Sequence, residues 1–249
     1  MAGDEADLGQ SKGNAILDAL SPPMLDAISR DLTFVEIPRG EVLLSPHTPI
    51  GAVYFPVQGM ISLMRNMSDG AAIEIGVIGR EGMVGWPGVL SGDLGSIEAV
   101  VQLPFSGYRM TVGGLMRCAA ANPDFEELMR RSFHVTFLQV TQAAACNQHH
   151  GAAQRLAKWL LMANDRSAEA HMNLTHEFLG MMLGVRRASI TEAISALRSA
   201  GIIKSENGRV LILDRPALER RVCECYRVIQ EEARRFMPPP AARGPVELS

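Results

Sequence analysis

The chain has 249 residues, a formal net charge of −3, 47% hydrophobic residues and 20% charged residues. These proportions are ordinary for a globular protein, and the length suffices for one large domain or two modest ones. No run of about eighteen apolar residues exists, which argues against a transmembrane helix. The first residues, MAGDEADLGQSKG, are polar and lack the apolar segment of a secretory signal, so we expect a cytoplasmic protein.

The charge is unevenly distributed along the chain. Residues 151–221 hold eleven Lys and Arg against seven Asp and Glu, a net charge of +4. The remainder holds 13 basic and 20 acidic residues, a net charge of −7. A basic segment in an acidic chain indicates a part that faces nucleic acid, which the overall pI of about 6.1 conceals.

The N-terminal half predicts a strand-rich domain behind a short helical start. Residues 14–31 predict one or two short helices interrupted at Pro22 and Pro23. Between residues 32 and 110, short apolar runs alternate with Gly, Pro, Asn and Asp, which is typical of a barrel or sandwich. Ser68-Asp69-Gly70 predicts a hairpin turn between two of these strands.

A long helix follows the strand-rich part. Residues 111–121 predict a short helix, and Asn122-Pro123-Asp124 marks a new helix start. From Phe125 to about Cys146 there is no Gly or Pro, and two apolar stripes run along this helix. The first stripe comprises Met129, Phe133, Phe137, Val140 and Ala144, and the second comprises Leu128, Val135, Leu138 and Ala145.

We expect one stripe to pack on the strands and the second to form a dimer with the same helix of another subunit. The alternative is a helix that is buried on both sides within a single domain.

The stretch FLGMMLGVRRASITEAISALRSAGII predicts two short helices joined at Gly184, after a further helix at residues 152–163. Thr175 is a predicted N-cap, and Gly184 supplies the turn. Ile190, Ile194 and Leu197 recur at helical spacing and are predicted to face inward.

The opposite face of the second helix suits the major groove of DNA, because its residues are small or polar. Arginine can bind guanine through two hydrogen bonds, a glutamate can accept from cytosine, and hydroxyls suit phosphates. The predicted contact residues of the helix, which runs from about residue 186 to 199, are Arg186, Arg187, Ala188, Ser189, Thr191 and Glu192.

A hairpin follows the helix pair. Asn207-Gly208 favours a type I′ turn, and Lys204 and Arg209 flank it where a wing would contact the DNA backbone. A last helix is predicted from Asp214 to about Phe236, and the Pro-rich end is expected to form a disordered tail. The alternative is an ordinary helical hairpin without DNA contacts.

The four cysteines, Cys118, Cys146, Cys223 and Cys225, are too few for a disulfide scaffold. Cys146 lies near His149 and His150, but four metal ligands at a recognised spacing are missing from the sequence. We therefore predict small buried side chains and no metal site, with a redox or metal role as the alternative. The chain contains no nucleotide-binding loop or hydrolase motif, so we predict no catalytic residues and no enzyme.

Nearly the whole chain resembles the Crp/Fnr family of bacterial transcription regulators. The similarity rests on PRGEVLL, AVYFPVQGMISLM and IGREGMVG in the N-terminal half and on LTHEFLGMMLGVRRASITEAISALRSAGII in the C-terminal half. The resemblance implies an α+β fold with a jelly-roll-like β-roll sensory domain at residues 14–121. A dimerisation helix at 122–148, a winged helix–turn–helix at 149–236 and a tail at 237–249 would follow.

The resemblance also implies a homodimer that binds an imperfect palindrome in double-stranded DNA, and it makes RNA polymerase a candidate partner. Arg187, Ala188, Ser189 and Glu192 fall on the family's base- and backbone-contacting positions. Ala188 replaces a common acidic residue and Glu192 a common arginine. We therefore expect a different operator sequence.

By resemblance, the effector pocket would contain Gly79, Glu81, Gly82, Met83 and Thr141. The order of glycine and glutamate differs from that of the cyclic-nucleotide binders, and no Lys or Arg occurs between residues 81 and 101. An anionic phosphate would lose a charge-assisted contact of about 1.5–3 kcal/mol, which argues against cAMP or cGMP.

The sequence does not support an iron–sulfur cluster or another identified cofactor as the sensory group. No cysteine precedes Cys118, so the iron–sulfur cluster of the oxygen sensors is not expected. A haem bound by His47 or by another histidine is an alternative. We identify no cofactor, and the effector is unknown. The alternative function is a redox- or small-ligand-sensing module whose C-terminal domain mainly makes protein contacts.

Overall fold

The computed structural model describes residues 13–91, 95–167 and 169–237, so the predicted tail beyond Met237 lies outside the described residues. The N-terminal half contains the following elements: α1 Ala15–Asp18, α2 Pro22–Ser29, β1 Thr33–Ile37, β2 Val42–Leu44, β3 Ala52–Asn66, β4 Ala72–Ile78, α3 Trp86–Ser91, β5 Glu98–Thr111 and α4 Val112–Ala121. The remainder contains α5 Pro123–His149, α6 Ala152–Arg166, β6 His171–Asn173, α7 His176–Leu183, α8 Arg187–Ser199, β7 Ile203–Glu206, β8 Arg209–Ile212, α9 Arg215–Glu219 and α10 Cys225–Phe236. No helix in these ranges is long and apolar enough to cross a membrane.

The N-terminal domain is an antiparallel sheet built around two long strands. Its order is β1-β5-β3-β4, and β2 pairs with β5. The pairing of β3 with β5 shifts register at three places, which lets these 15- and 14-residue strands bend instead of staying flat. Gly59 lies at one of these shifts with φ of 98°, and a Cβ there would lie 2.4 Å from the carbonyl oxygen of Pro104. The structure confirms the predicted α+β fold with a β-roll-type N-terminal domain.

Two side-chain N-caps start the helices that follow the sheet. The Thr111 hydroxyl accepts a hydrogen bond from the amide of Gly114 at 3.0 Å and starts α4. The Asn122 side chain accepts from the amides of Asp124 and Phe125 and starts α5, with Pro123 as its first helical residue. Helix α5 then runs for 27 residues, roughly 40 Å at 1.5 Å per residue.

A hydrophobic core crosses the boundary between the sheet and the C-terminal domain. Met60 and Met64 of β3 pack in the same cluster as Trp159 and Leu160 of α6 and Met182 of α7. These five side chains are all buried. The helix pair therefore rests directly on the sheet instead of standing apart from it.

Helix α10 covers part of the apolar stripe that the sequence assigns to dimer contacts. Val135 is 7% exposed and belongs to the same core as Met237, and it lies with Leu138 opposite Val228 of α10. Leu128 and Leu138 are half-buried, and Ala145 alone of the four predicted residues is exposed. Val135 is therefore not available to a second subunit in this conformation, because the C-terminal helix folds back onto α5.

Glu74 on β4 connects the sheet to α6. Its carboxylate accepts a hydrogen bond from the indole nitrogen of Trp159 at 3.0 Å and another from the Ser62 hydroxyl. Burial of this carboxyl group raises its pKa from 4.5 to about 7. The charged form is therefore disfavoured at the contact between the two domains.

We expect the Glu74→Gln variant to lose part of the pH dependence of stability. Because the pKa of Glu74 is raised on folding, its stabilising contribution is complete below pH 4.5 and is lost as the pH rises through about 7. From about pH 5 to about pH 8, the free energy of unfolding of the native chain should fall by up to about 3 kcal/mol relative to the variant.

Urea titrations at several pH values measure this difference. Glu36→Gln, at an exposed position on β1, is the matched control and should reproduce the native profile. Parallel pH profiles for native chain and Glu74→Gln would contradict the expectation.

Candidate nucleic-acid interface and sensory site

Helices α7 and α8 form a helix–turn–helix. The Thr175 hydroxyl caps α7 by accepting from the amide of Phe178 at 3.1 Å, as predicted. Gly184 ends α7 with φ of 58°, the left-handed conformation that favours glycine. A Cβ at Gly180 would lie 3.0 Å from the carbonyl oxygen of Val185, so the chain returns very close to the first helix.

The inner face of α8 is buried as the spacing predicts. Ile190, Ile194 and Leu197 are 0%, 2% and 5% exposed, and they pack in the core that also contains α6 and α7. This burial fixes the rotation of α8 about its axis. The opposite side chains are therefore presented to solvent.

The predicted contact residues lie on this outer face. Exposed positions are Arg186, Arg187, Ala188, Thr191 and Glu192, and Ser189 is half-buried. Arg186 is the N-cap in extended conformation, so the helix itself begins at Arg187, one residue later than predicted. Neither arginine forms an ion pair with another residue that the structure describes. Both guanidinium groups are therefore free to bind an anion or a base edge.

One of these residues has a role that the sequence did not reveal. The Thr191 hydroxyl donates to the carbonyl oxygen of Arg187 at 3.1 Å and lies 3.0 Å from Nδ1 of His176. His176 is the first residue of α7 and is exposed, so it extends the polar surface beside α8. The helical spacing within α8 gave no signal for His176, because the contact joins two different helices.

The predicted wing is present next to the helix pair. Asn207 and Gly208 have φ of 50° and 74°, as a type I′ turn requires, and they connect β7 to β8. Lys204 and Arg209 are exposed and line one depression together with His171. The pair between Lys204 and Glu206, at 3.4 Å, is solvent-exposed and therefore weak.

The predicted effector cassette binds a residue of the C-terminal domain. Oε1 of Glu81 lies 2.5 Å from Nη2 and 3.1 Å from Nε of Arg166, at the end of α6, and it accepts from the amide of Gly79 at 3.0 Å. A Cβ at Gly79 would lie 2.6 Å from Cδ of Arg166, so only glycine leaves room for this arginine. The Arg166 side chain is 9% exposed. The carboxylate that the resemblance assigns to a ligand is thus paired within the chain.

The other predicted pocket residues lie elsewhere. Gly82 is buried beside the cassette, and its carbonyl oxygen accepts from the side chain of Asn14 at 3.0 Å. Met83 is fully buried in the core under α1. Thr141 is exposed on α5 and donates to the carbonyl oxygen of Leu138 at 2.9 Å. Met83 and Thr141 do not line the cavity beside Glu81.

Two cavities of about 300 Å³ lie along α5, besides smaller ones. One, of about 290 Å³, contains Glu81, Arg166 and Arg234 and is bounded by α10. The other, of about 300 Å³, lies between the sheet and α5 and has an apolar lining that includes Leu63 and Phe133. An anion in the second cavity would lose its hydration without gaining a charged partner among the lining residues.

Three of the cysteines meet at the far end of α5. The Sγ atoms of Cys146, Cys223 and Cys225 and a ring nitrogen of His150 all lie within 4.8 Å of one another. The hydrogen bond from the Cys223 thiol and the nearby ammonium group of Lys158 lower the pKa of Cys146 below its ordinary value. The sequence predicted small buried cysteines, with a metal or redox role as the alternative, and the spacing of Cys146 and His150 by one helical turn was the available signal.

Comparison with known proteins agrees with this architecture. Residues 34–122 match the family model of the cyclic nucleotide-binding domain, and residues 154–221 match that of the Crp-like helix-turn-helix domain. FixK2 from Bradyrhizobium japonicum has the same fold, with a TM-score of 0.65, 18% identity, and coverage of 77% of this chain and 98% of that one. The c-di-GMP responsive global regulator CLP from Xanthomonas campestris gives a TM-score of 0.61 at 14% identity, over 77% and 99% of the two chains.

Two curated relatives extend over most of the sequence. The CRP-like cAMP-activated global transcriptional regulator of Mycobacterium tuberculosis is 22% identical over 213 residues, which are 83% of this chain and 95% of the relative. The global nitrogen regulator of Synechococcus elongatus is 20% identical over 199 residues, 76% of this chain and 90% of the relative. With both domain models matched in this order on a β-roll and a winged helix–turn–helix, the chain belongs to the Crp/Fnr family of DNA-binding transcription regulators.

Proposed function

We propose that this regulator is a homodimer that inserts α8 into the major groove of a palindromic operator. The free arginines at the start of α8 carry the proposal, because the buried inner face of the helix leaves them no role in folding. Arg187 suits the O6 and N7 atoms of guanine, and Glu192 suits the amino group of cytosine. Ala188 permits close approach of the helix to the bases.

Phosphate contacts complete the proposed interface. Arg186, Ser189 and the amides at the N-terminus of α8 lie where the DNA backbone borders the groove, and such contacts position the helix without reading sequence. Lys204 and Arg209 on the wing supply two more cations for the adjacent backbone. Binding should therefore weaken steeply with added salt.

We expect Arg187→Ala to weaken binding to the operator by about 1–3 kcal/mol and to relax the preference at one base position, because a bidentate guanine contact is lost. The operator is first selected from random DNA, and fluorescence anisotropy then gives the dissociation constants for all single-base variants. Arg117→Ala, at an exposed arginine on α4 of the sensory domain, is the control and should bind like the native chain. Unchanged affinity and base preference in Arg187→Ala would contradict the assignment of α8.

The proposed dimer uses the face of α5 that neither the sheet nor α10 covers. Phe137 is 55% exposed, and Thr141, Ala144 and Ala145 continue the same open side at helical spacing. The small residues after Phe137 would let two such helices approach closely. Of the four residues that the sequence predicts at the dimer interface, Ala145 lies in the interface proposed here, whereas Val135 packs within the chain.

We expect Phe137→Arg to raise the dissociation constant of the dimer at least about tenfold, since it places a charge at the centre of the proposed interface. Sedimentation velocity over a concentration series measures the constant. Phe34→Arg is the matched control, because Phe34 on β1 is equally large and 53% exposed but lies away from α5. If Phe137→Arg leaves the dissociation constant unchanged and Phe34→Arg raises it, the dimer interface lies on another surface.

The effector is proposed to be something other than a cyclic nucleotide. Glu81, which would bind the ribose, is paired with Arg166, and no charged residue lines the second cavity along α5 among the residues that the structure describes. No Lys or Arg follows Glu81 before residue 102. A cyclic nucleotide would have to break the Glu81–Arg166 pair, and no Lys or Arg between residues 81 and 101 could pair with its phosphate.

We expect no saturating heat of binding when cAMP is titrated to millimolar concentration into the full chain. The cAMP-activated regulator of Mycobacterium tuberculosis, studied under the same conditions, is the positive control. A saturating isotherm with one site per chain would contradict the proposal.

A sensing module whose C-terminal domain makes protein contacts is the remaining alternative. It predicts no sequence preference when the operator is selected from random DNA. Recruitment of RNA polymerase is a proposal that rests on the family resemblance.

A further inference from the structure

Cys146 and His150 lie one helical turn apart at the C-terminal end of α5, and Cys223 and Cys225 lie at the start of α10. From this juxtaposition we propose that the four side chains bind one Zn²⁺ ion in a tetrahedral site with three sulfur ligands and one nitrogen ligand. The site would fasten the C-terminal helix to the long helix. It is independent of the proposed DNA interface and of the proposed dimer surface.

The distances between the ligand atoms match those around a tetrahedral zinc ion. With zinc–sulfur bonds of about 2.3 Å and zinc–nitrogen bonds of about 2.0 Å, two sulfurs lie about 3.8 Å apart, and a sulfur and a nitrogen lie about 3.5 Å apart. Sγ of Cys146 lies 3.7 Å from Sγ of Cys223. Sγ of Cys225 lies 3.6 Å from Nδ1 of His150. Since all four atoms lie within 4.8 Å of one another, one ion can reach them with small side-chain rotations.

His150 has a carboxylate partner, as zinc-binding histidines usually do. Nε2 of His150 lies 3.1 Å from the carboxylate of Glu224, so its proton is fixed on that nitrogen and Nδ1 faces the sulfurs with a free lone pair. A carboxylate behind a ligating imidazole fixes the orientation of the ring and raises its basicity. Glu224 lies between the two cysteines of the C-x-C pair, so one short segment supplies two ligands and this support.

Two further side chains surround the sulfurs. Nε2 of Gln142 donates to Sγ of Cys225 at 3.0 Å, and Nζ of Lys158 donates to Sγ of Cys146 at 3.3 Å. Lys158 is 8% exposed, and a buried ammonium group requires a nearby anion. Three thiolates and Zn²⁺ together carry one negative charge, which this lysine would balance.

The ligand set points to a structural site. Four protein ligands fill the tetrahedron and leave no open position for water or substrate, and sulfur-rich sites of this kind favour zinc among the common cations. The three cysteines are buried, which would protect the bound thiolates from oxidation. A disulfide between Cys146 and Cys223 would use only two of the four converging groups.

The experiment is a metal analysis of the full chain, purified without chelators and desalted. We expect about one zinc ion per chain, and replacement by Co²⁺ should give the visible bands of tetrahedral cobalt with thiolate charge-transfer absorption. Cys146→Ser and Cys223→Ser should lose the metal, whereas Cys118→Ser, at the fourth cysteine, should keep it. Glu224→Gln should weaken zinc binding about tenfold in competition with a chromophoric chelator.

The Cys225→His variant keeps four ligands, so it separates an effect on metal binding from a failure to fold. Its cobalt complex should retain tetrahedral bands and lose about a third of the thiolate charge-transfer intensity. The proposal is overturned if the native chain contains no zinc while its thiols are reduced, or if the cysteines hold iron with labile sulfide. Zinc that persists in Cys223→Ser would overturn it as well.

Discussion

Helix α6 is buried along most of its length, and the placement of the two domains follows from the need to cover it on both sides. Leu156, Trp159, Leu160 and Leu161 are at most 3% exposed, and even Arg155 and Lys158 are buried. A helix with apolar residues on every side cannot lie on a surface, so it requires apolar partners in two directions. The sheet supplies one partner, and the helix–turn–helix supplies the other.

This packing brings polar groups of α6 into the sheet as well. Trp159 donates to Glu74, and Arg166 pairs with Glu81, so the middle and the C-terminal end of α6 both contact carboxylates of the N-terminal domain. Breaking a buried pair by removing one partner is costly, typically about 3–5 kcal/mol. A ligand that bound Glu81 would have to compensate for the ion pair that Arg166 loses. Arg166 therefore links the sensory cassette physically to the DNA-binding domain.

The elements that follow the wing connect α5 to α6. Helix α10 lies along α5, and Tyr226 near its start donates to Asp165 of α6, which also pairs with Arg215 of α9. The cysteine and histidine cluster lies next to this network, at the start of α10. The elements that follow the wing thus hold α5 and α6 together, and α10 lies beyond residues 154–221, which match the helix-turn-helix family model.

Local patterns in the sequence determined much of the fold. Thr175, Gly184 and the Asn207-Gly208 turn predicted their structures correctly, because caps and turns depend on a few neighbouring residues. The spacing of Ile190, Ile194 and Leu197 predicted which face of α8 is buried. Periodicity alone could not say which neighbour covers the second stripe of α5, since α10 and another subunit require the same apolar surface.

By itself, then, the sequence determined the succession of strand-rich domain, long helix and winged helix–turn–helix, the exposed face of α8 and the lack of Lys and Arg between residues 81 and 101. The tertiary structure alone decided that Arg166 reaches Glu81, that α10 covers Val135, and that Cys146 and His150 meet Cys223 and Cys225. The physical reason is sequence separation. Each of these contacts joins groups more than 70 positions apart, and their distance in space depends on how whole helices pack.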